Sequence, residues 1–364
     1  MDTERFMKLA IELAAKGGNR VSPNPLVGAV IVKNAEIIGQ GYHEAYGGPH
    51  AEINALSSCK ESPKGACIYV TLEPCCHYGK TPPCTEAIIK SGISKVVIGS
   101  KDPNPLVAGK GIESLRRAGV GVEILDMEAC YRLNEIFFHY IKTKRPYVIM
   151  KYAMTADGKI ATFSGKSKWI TGEVARAHVH ESRNRYAGIM VGVGTVIADN
   201  PELTCRIPGG RNPKRIICDT NLRIPLDSKV LNTKEAPTYI ATCSDDEQKI
   251  SALESLGCRI LRIPKNADRL DLKFLMKRLA EEKIDAILLE GGATLNASAL
   301  EAKIVSRVQV YISPKIFGGN LAKSPVGGQG VENPSEAFML KNGKIRVMDE
   351  DILIEYEVDE CLQE

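Results

Sequence analysis

The chain has 364 residues, enough for two domains, and 44% of them are hydrophobic, ample for globular cores. A formal net charge of +4 and an aromatic content of 5% supply neither the basic stripe nor the stacking platform of a nucleic-acid binder. No apolar run approaches the roughly 20 residues that span a bilayer, and 11 cysteines, an odd number without a framework, fit a reducing cytoplasm better than an exported disulfide scaffold. Residues 2–16 place Phe6, Leu9, Ile11 and Leu13 largely along one side, which predicts an amphipathic helix stopped by Gly17-Gly18. Its acidic residues set it apart from a signal peptide. LVGAVIV and IIGQGY then read as two strands joined by a Lys-Asn turn.

HAEINALSSC predicts a helix beginning near His50, ACIYVTLEP a strand, and TPPCTEAIIKSG a helix with Cys84 in its first turn. His50, Cys75 and Cys84 thus fall at helix starts or a strand end and offer one nitrogen and two sulfurs. Zinc takes such a set readily, and a catalytic zinc keeps a fourth position for water. Water on zinc loses a proton near neutral pH. Glu52, two residues beyond His50, would carry protons between that water and a leaving amine. His-x-Glu followed by Pro-Cys and a further Cys is the pattern of zinc-dependent nucleobase deaminases. A structural zinc closes with four protein ligands; three ligands beside a carboxylate favour an open site.

The spacing is unusual. Generic deaminases use Cys-x-x-Cys, whereas Cys75 and Cys84 here enclose the eight residues CHYGKTPP. Cys76 is an alternative ligand, and Cys75 is preferred because it follows Glu-Pro at the strand end. The insert carries His77, Lys80 and Thr81, polar and cationic groups suited to a phosphorylated substrate. Asn24, between two prolines, is either a turn residue or an amide that hydrogen-bonds a pyrimidine edge, and the zinc pattern favours the second reading.

SKVVIGS reads as a strand, and Asp102 and Asn104 in the loop after it are either turn residues or ligand contacts at a strand's carboxyl end. Helical spacing of Leu133, Ile136, Phe137 and Ile141 indicates packing. IKTKRP marks a boundary near residue 145, giving domains 1–145 and 146–364. PYVIMKYAMTADGKIAT opens the second with an apolar strand, and EVARAHVHESRNRY is a helix. AGIMVGVGTVIADNPELTCR reads as a strand running into a polar loop that gathers Thr195, Asp199 and Arg206 to position a sugar phosphate. Lys151 and Arg183 either add to that or are solvated cations, and Trp169 is either core or ligand. RIICDT, TYIATC, RILRI and DAILLEGGATLNASAL continue an alternation of strands and helices, which predicts an α/β domain with a largely parallel sheet. In ILLEGGATLNASAL a strand ends at Glu290, two glycines permit close approach, and a helix starts. That is either a cradle for a dinucleotide phosphate or an ordinary strand-turn-helix. VQVYISPKIFGG and ILIEYEV read as late strands, antiparallel at the far side of the sheet.

The motifs NPLVGAV (24–30), HAE (50–52), TLEPCCHYGKTPPC (71–84), DPNPLVAGKG (102–111), DGKIAT (157–162), SKWIT (167–171), VGVGTVIADNPELTCR (191–206) and EGG (290–292) resemble, in order and nearly end to end, the bifunctional deaminase/reductase family of riboflavin biosynthesis. The eight-residue cysteine spacing is also that family's. The resemblance implies a cytidine-deaminase-like domain followed by a dihydrofolate-reductase-like α/β domain. The first would hydrolyse an amino group from a diamino-ribosylamino-pyrimidinone 5′-phosphate, with His50, Cys75 and Cys84 on zinc, Glu52 shuttling protons, and Asn24, His77 and Lys80 on ring or phosphate. The second would reduce the ribose to a ribityl chain with NADPH. It implies substrate contacts at Lys151, Ser167, Arg183, Leu203, Arg206 and Glu290. It implies cofactor contacts at Ala153, Trp169, Thr195, Asp199 and Thr220, and along Gly292, Ala293, Thr294, Leu295, Asn296, Ala297 and Ser298. It also implies a homo-oligomer formed through the reductase domain.

Overall fold

Residues 2–78 and 82–359 are described by the computed structural model, and their contacts divide the chain into two units, Met1–Lys144 and Arg145–Glu364. The first unit is a five-stranded sheet: β1 (Gly28–Lys33), β2 (Glu36–Tyr42), β3 (Cys67–Val70), β4 (Lys95–Ile98) and β5 (Gly121–Ile124), in the order β2-β1-β3-β4-β5. β1 is antiparallel to both neighbours, and β3, β4 and β5 run parallel. Side chains on a strand alternate between faces, and the two cores follow that period. Val30, Val32, Tyr69 and Val97 face the N-terminal helix α1 (Asp2–Ala15). Ala29, Ile31, Ile68, Val70, Val96 and Ile98 face α2 (Ala51–Ser57), α3 (Cys84–Lys90) and α4 (Lys110–Arg117). Two further helices, α5 (Glu128–Leu133) and α6 (Glu135–Thr143), close the unit.

The buried stripe of α1 is Phe6, Met7, Ala10, Leu13 and Ala14. These follow the i, i+1, i+4, i+7, i+8 spacing of one helix face, which leaves Leu9 and Ile11 only partly buried at its margin. The glycines that allow this packing are Gly28 and Gly41. A Cβ on Gly28 would meet the Ala10 carbonyl oxygen at 2.0 Å, and one on Gly41 would meet the Ala55 nitrogen at 2.4 Å. Close approach at Gly41 lets α2, with its N-terminal His50, lie directly against the sheet.

The second unit is a nine-stranded sheet. Its strands are β6 (Tyr147–Thr155), β7 (Gly188–Gly192), β8 (Lys214–Cys218), β9 (Thr238–Thr242), β10 (Arg259–Arg262), β13 (Ala286–Leu289), β14 (Arg307–Ser313), β15 (Leu340–Met348) and β16 (Asp351–Val358). A separate short hairpin pairs β11 (Lys265–Asn266) with β12 (Arg269–Leu270). The sheet order is β10-β9-β8-β7-β13-β6-β14-β16-β15. The helices α7 (Glu173–Arg185), α8 (Val193–Asp199), α9 (Glu247–Ser255), α10 (Leu272–Glu281) and α11 (Ala293–Glu301) connect the strands.

Two details differ from the sequence reading. β14 runs parallel to β6, because α11 carries the chain back across the sheet as a crossover between β13 and β14, and the antiparallel pairings are those of β16 with β14 and with β15. The stretch after β7 begins as the helix α8, because Val193 and Val196, three residues apart, bury one helix face in the core. Among the described residues, no helix is long and apolar enough to cross a membrane.

Candidate active sites

In the first unit, His50 is the N-cap of α2, Cys84 is the first residue of α3, and Cys75 lies in the loop after β3. The fold brings these three together. The Cys75 and Cys84 sulfurs stand 3.4 and 3.3 Å from His50 Nδ1, and all three donor atoms lie within 4.8 Å of one another. Zinc bonds of about 2.3 Å to sulfur and about 2.0 Å to nitrogen, at tetrahedral angles, would set N and S about 3.5 Å apart. The donor set therefore fits zinc with a fourth position left for water. Cys76 turns away, its thiol 3.7 Å from the Leu106 carbonyl oxygen. Hydrogen bonds from Cys84 and then His50 hold Cys75 below the usual thiol range, against the effect of burial, while the same partnership and burial push Cys84 up.

Glu52 is buried on the first turn of α2, and burial, then the charge on Cys75, push its carboxyl up to about 7. A carboxyl tuned near neutrality can both take and give a proton. Asn24 Nδ2 is 3.1 Å from His43 Nε2, and His43 Nδ1 is 2.9 Å from the Pro49 carbonyl oxygen. His43 is buried, its ring edge-on to His50 with centroids 5.4 Å apart, and burial lowers its pKa. A neutral ring protonated on Nδ1 donates to Pro49 and accepts from Asn24. The loop bearing Asn24 is pinned by Asn134, which bonds both backbone groups of Leu26. His77 Nδ1 is buried without a hydrogen-bond partner among the described residues. Lys80 and Thr81 lie outside the described residues.

Sequence reading missed His43 and Glu73. Glu73 is buried, and its carboxylate accepts from the backbone N–H groups of Gly109, Gly111 and Ile112 at 3.1–3.2 Å. It ties the start of α4 to the segment that carries Cys75. Asp102, in the same loop, is buried, and burial, then the Glu73 charge, raises its carboxyl to about 6.

In the second unit, a cavity of about 810 Å³ opens at the carboxyl ends of β6, β7, β8 and β13, where open α/β sheets place ligands. Thr195 of α8 and Gly292 at the cap of α11 meet across it, since a Cβ on Gly292 would sit 3.5 Å from Thr195 Oγ1. The exposed N–H groups at the start of α11 suit a phosphate. Asn296 is buried and donates from Nδ2 to the Pro325 carbonyl oxygen at 2.9 Å, while its Oδ1 has no partner among the described residues. That orphan acceptor and the cradle together fit a dinucleotide, which brings both phosphate and hydroxyl donors.

Glu290 lines the cavity and is gripped by Arg183 through two bonds of 2.8 Å. Burial alone would raise the Glu290 carboxyl; the Arg183 charge and then Lys151 overrule it and hold it at about 2. Burial lowers the Lys151 pKa.

Ala153, Ser167, Asp199 and Thr220 also line the cavity, as do Ala293, Thr294, Leu295 and Ser298. Other expected contacts lie elsewhere. Leu203 is buried in the cluster with Val191 and Ile217, and Ala297 is buried within α11. Arg206 is exposed, 3.6 Å from Glu202, and Trp169 is 61% exposed with the Arg176 guanidinium 4.8 Å from its ring centre. Neither forms part of the cavity wall. Conversely, Arg223, Arg269 and Lys323 line it without having been read from the sequence. Only the position of Arg223, three residues beyond Thr220 after a strand, could have signalled it.

Residues 146–354 match the RibD C-terminal domain, and residues 1–100 match the cytidine and deoxycytidylate deaminase zinc-binding region. The riboflavin biosynthesis protein RibD of Actinobacillus pleuropneumoniae is 57% identical over 97% of this chain and 94% of its own length. The RibD protein of Escherichia coli is 37% identical over 97% and 99%. Among solved structures, a diaminohydroxyphosphoribosylaminopyrimidine deaminase/5-amino-6-(5-phosphoribosylamino)uracil reductase from Thermotoga maritima superposes with a TM-score of 0.85 at 40% identity, covering 98% of this chain and 99% of that one. Acinetobacter baumannii RibD superposes with a TM-score of 0.89 at 37% identity, covering 99% of each chain.

Proposed function

Because the chain belongs to the RibD family of riboflavin-biosynthesis proteins, we propose a division of its residues between the family's two reactions. It is a zinc-dependent deaminase of a diamino-ribosylamino-pyrimidinone 5′-phosphate and an NADPH-dependent reductase that converts the ribosyl side chain to ribityl. We assign residues 1–145 to the first activity and 146–364 to the second.

The observation that carries the deaminase assignment is the His50, Cys75 and Cys84 group with Glu52 buried beside it. Zinc held there would supply a water acidified toward neutral pH. Glu52 would hold the proton that the water gives up and deliver it to the departing amine nitrogen. Asn24 orients the ring: His43 commits its Nδ2, which leaves Oδ1 to accept from a ring N–H. His77 and Lys80 take the ring or the phosphate. Exchanging Cys76 for Ser is expected to leave zinc at one per chain, whereas Cys75→Ser loses it; metal analysis of the two proteins decides, and zinc lost from Cys76→Ser would overturn the ligand set.

In the reductase, NADPH supplies the hydride. The start of α11 would hold its diphosphate, Asn296 would accept from a cofactor hydroxyl or amide, and Thr195, Asp199 and Thr220 would line its path. Lys151, Ser167 and Glu290 face the substrate, and Arg183 keeps Glu290 ionised and aimed. Leu203 anchors the loop that leads to Arg206, whose guanidinium would reach the sugar phosphate. A coupled assay tests the scheme. Zinc-loaded protein is expected to release ammonia from the pyrimidine substrate first, and NADPH oxidation should require the deaminated product. Oxidation that proceeds at full rate on the undeaminated substrate would overturn the order.

A second copy of the chain is proposed to dock on the reductase unit at β15. This edge strand exposes Ile345 and Val347, each 72% exposed, and an open apolar edge favours strand or face pairing. Val347→Glu is expected to shift the protein to monomer in sedimentation; an unchanged mass would exclude that edge. A cytoplasmic location is proposed on the free state of every described cysteine.

A further inference from the structure

The cofactor cavity contains a cation to which neither reaction gives a task. Between β10 and α10 the chain makes the two-rung hairpin of β11 and β12. Its base is fixed, because Leu270 is buried in the core and Asp271 caps α10 by accepting from the Phe274 N–H at 2.9 Å. Asp268 and Arg269 reach the cavity wall. Arg269 Nη1 donates to Ser298 Oγ at 2.6 Å, and no carboxylate pairs with this guanidinium among the described residues. A neutral hydroxyl leaves the positive charge uncompensated and most of the five guanidinium donors unused.

The location narrows what Arg269 would meet. Ser298 lies six residues past the Gly292 cap, about 9 Å along the helix at about 1.5 Å per residue. A diphosphate on the first N–H groups of α11 is therefore out of direct reach. A phosphate one sugar further along the nucleotide is not, and Arg223 enters the same cavity from the turn after β8. We propose that Arg269 recognises the phosphate on the adenosine ribose that NADPH carries and NADH lacks, exchanging the Ser298 hydroxyl for it. A planar guanidinium pairs such a group bidentately, which an ammonium does not. The proposal rests on the reading that this cavity holds NADPH.

The test is direct binding to the full-length, zinc-loaded protein without pyrimidine substrate, titrating NADPH and NADH separately and following nucleotide fluorescence. In Arg269→Ala the Kd for NADPH should rise about tenfold or more while that for NADH stays within about twofold; the NADH value also reports that the variant is folded. Arg269→Lys should retain part of the preference. An NADPH-to-NADH ratio unchanged in Arg269→Ala, whether neither affinity moves or both fall together, overturns the proposal alone. Wild-type protein that binds neither nucleotide overturns the cavity assignment as well.

Discussion

Glu52→Gln is expected to keep the zinc and lose the deamination. The substitution preserves volume at a buried position, replaces none of the three ligands and keeps a hydrogen-bonding group of the same length beside the Cys84 thiol, so the metal group of His50, Cys75 and Cys84 stays assembled. What disappears is a carboxyl that can both hold and release a proton. Glu52 is suited to that exchange because burial, then the neighbouring Cys75 charge, raises its carboxyl above the ordinary carboxylate range and toward neutrality. Proton transfer by a positioned side chain is worth about 10²–10⁴-fold in rate, and ammonia release should fall by that factor. Two controls belong to the same experiment. Zinc per chain should match wild type, and NADPH oxidation on supplied deaminated intermediate should be unchanged, since Glu52 lies in the other unit. Ammonia release at the wild-type rate from a zinc-loaded Glu52→Gln protein would remove the carboxylate from the chemistry.

The zinc group was legible because it is written in residue types that few other roles require, in a fixed order. His43 and Glu73 were not, and the reason is physical. Each acts through backbone groups that only the fold brings near: His43 through the carbonyl of Pro49, Glu73 through N–H groups 36 to 39 residues away. No local pattern encodes such a contact. Arg269 was hidden differently, since a single arginine in a polar turn reads like any solvated cation until the cavity around it is known. The glycine-rich start of α8 has weak helix propensity, with glycine and β-branched residues in VGTVIAD. Burial of Val193 and Val196 supplies what local preference lacks. β15 escaped because nearly all its side chains are exposed, so the strand has no inward and outward alternation to read. Arg206 and Trp169 show the converse limit, because matching a family motif places a residue in a loop and says nothing of where the loop holds its side chain.

The Arg183–Glu290 pair yields the largest expected stability effect. Their side chains are 15% and 12% exposed, and both guanidinium bonds to the carboxylate are 2.8 Å. Removing one partner of such a buried pair typically costs about 3–5 kcal/mol, because the other charge is left uncompensated. Arg183→Met should therefore destabilise the reductase unit by about that amount near neutral pH. The sign of the pH dependence follows from Glu290. Its folded carboxyl sits at about 2, below the ordinary 4.5. Wild type thus draws stability from it above the unfolded value and loses that stability only as pH falls from about 4.5 toward about 2. In Arg183→Met only Lys151 and, more weakly, His180 remain to oppose burial, so the Glu290 carboxyl moves upward and folding favours its protonated form. The deficit should then shrink as pH drops from about 7 to about 5, while wild type changes little through Glu290 over the same window. Urea unfolding followed by Trp169, the only tryptophan and a residue of this unit, reads the effect directly. A deficit of under about 1 kcal/mol, the range of exposed ion pairs, would mean that solvent already screens the pair. An equal deficit at both pH values would mean that Arg183 contributes by packing and by its bond to the Thr204 carbonyl at 3.1 Å, with the charge on Glu290 compensated elsewhere.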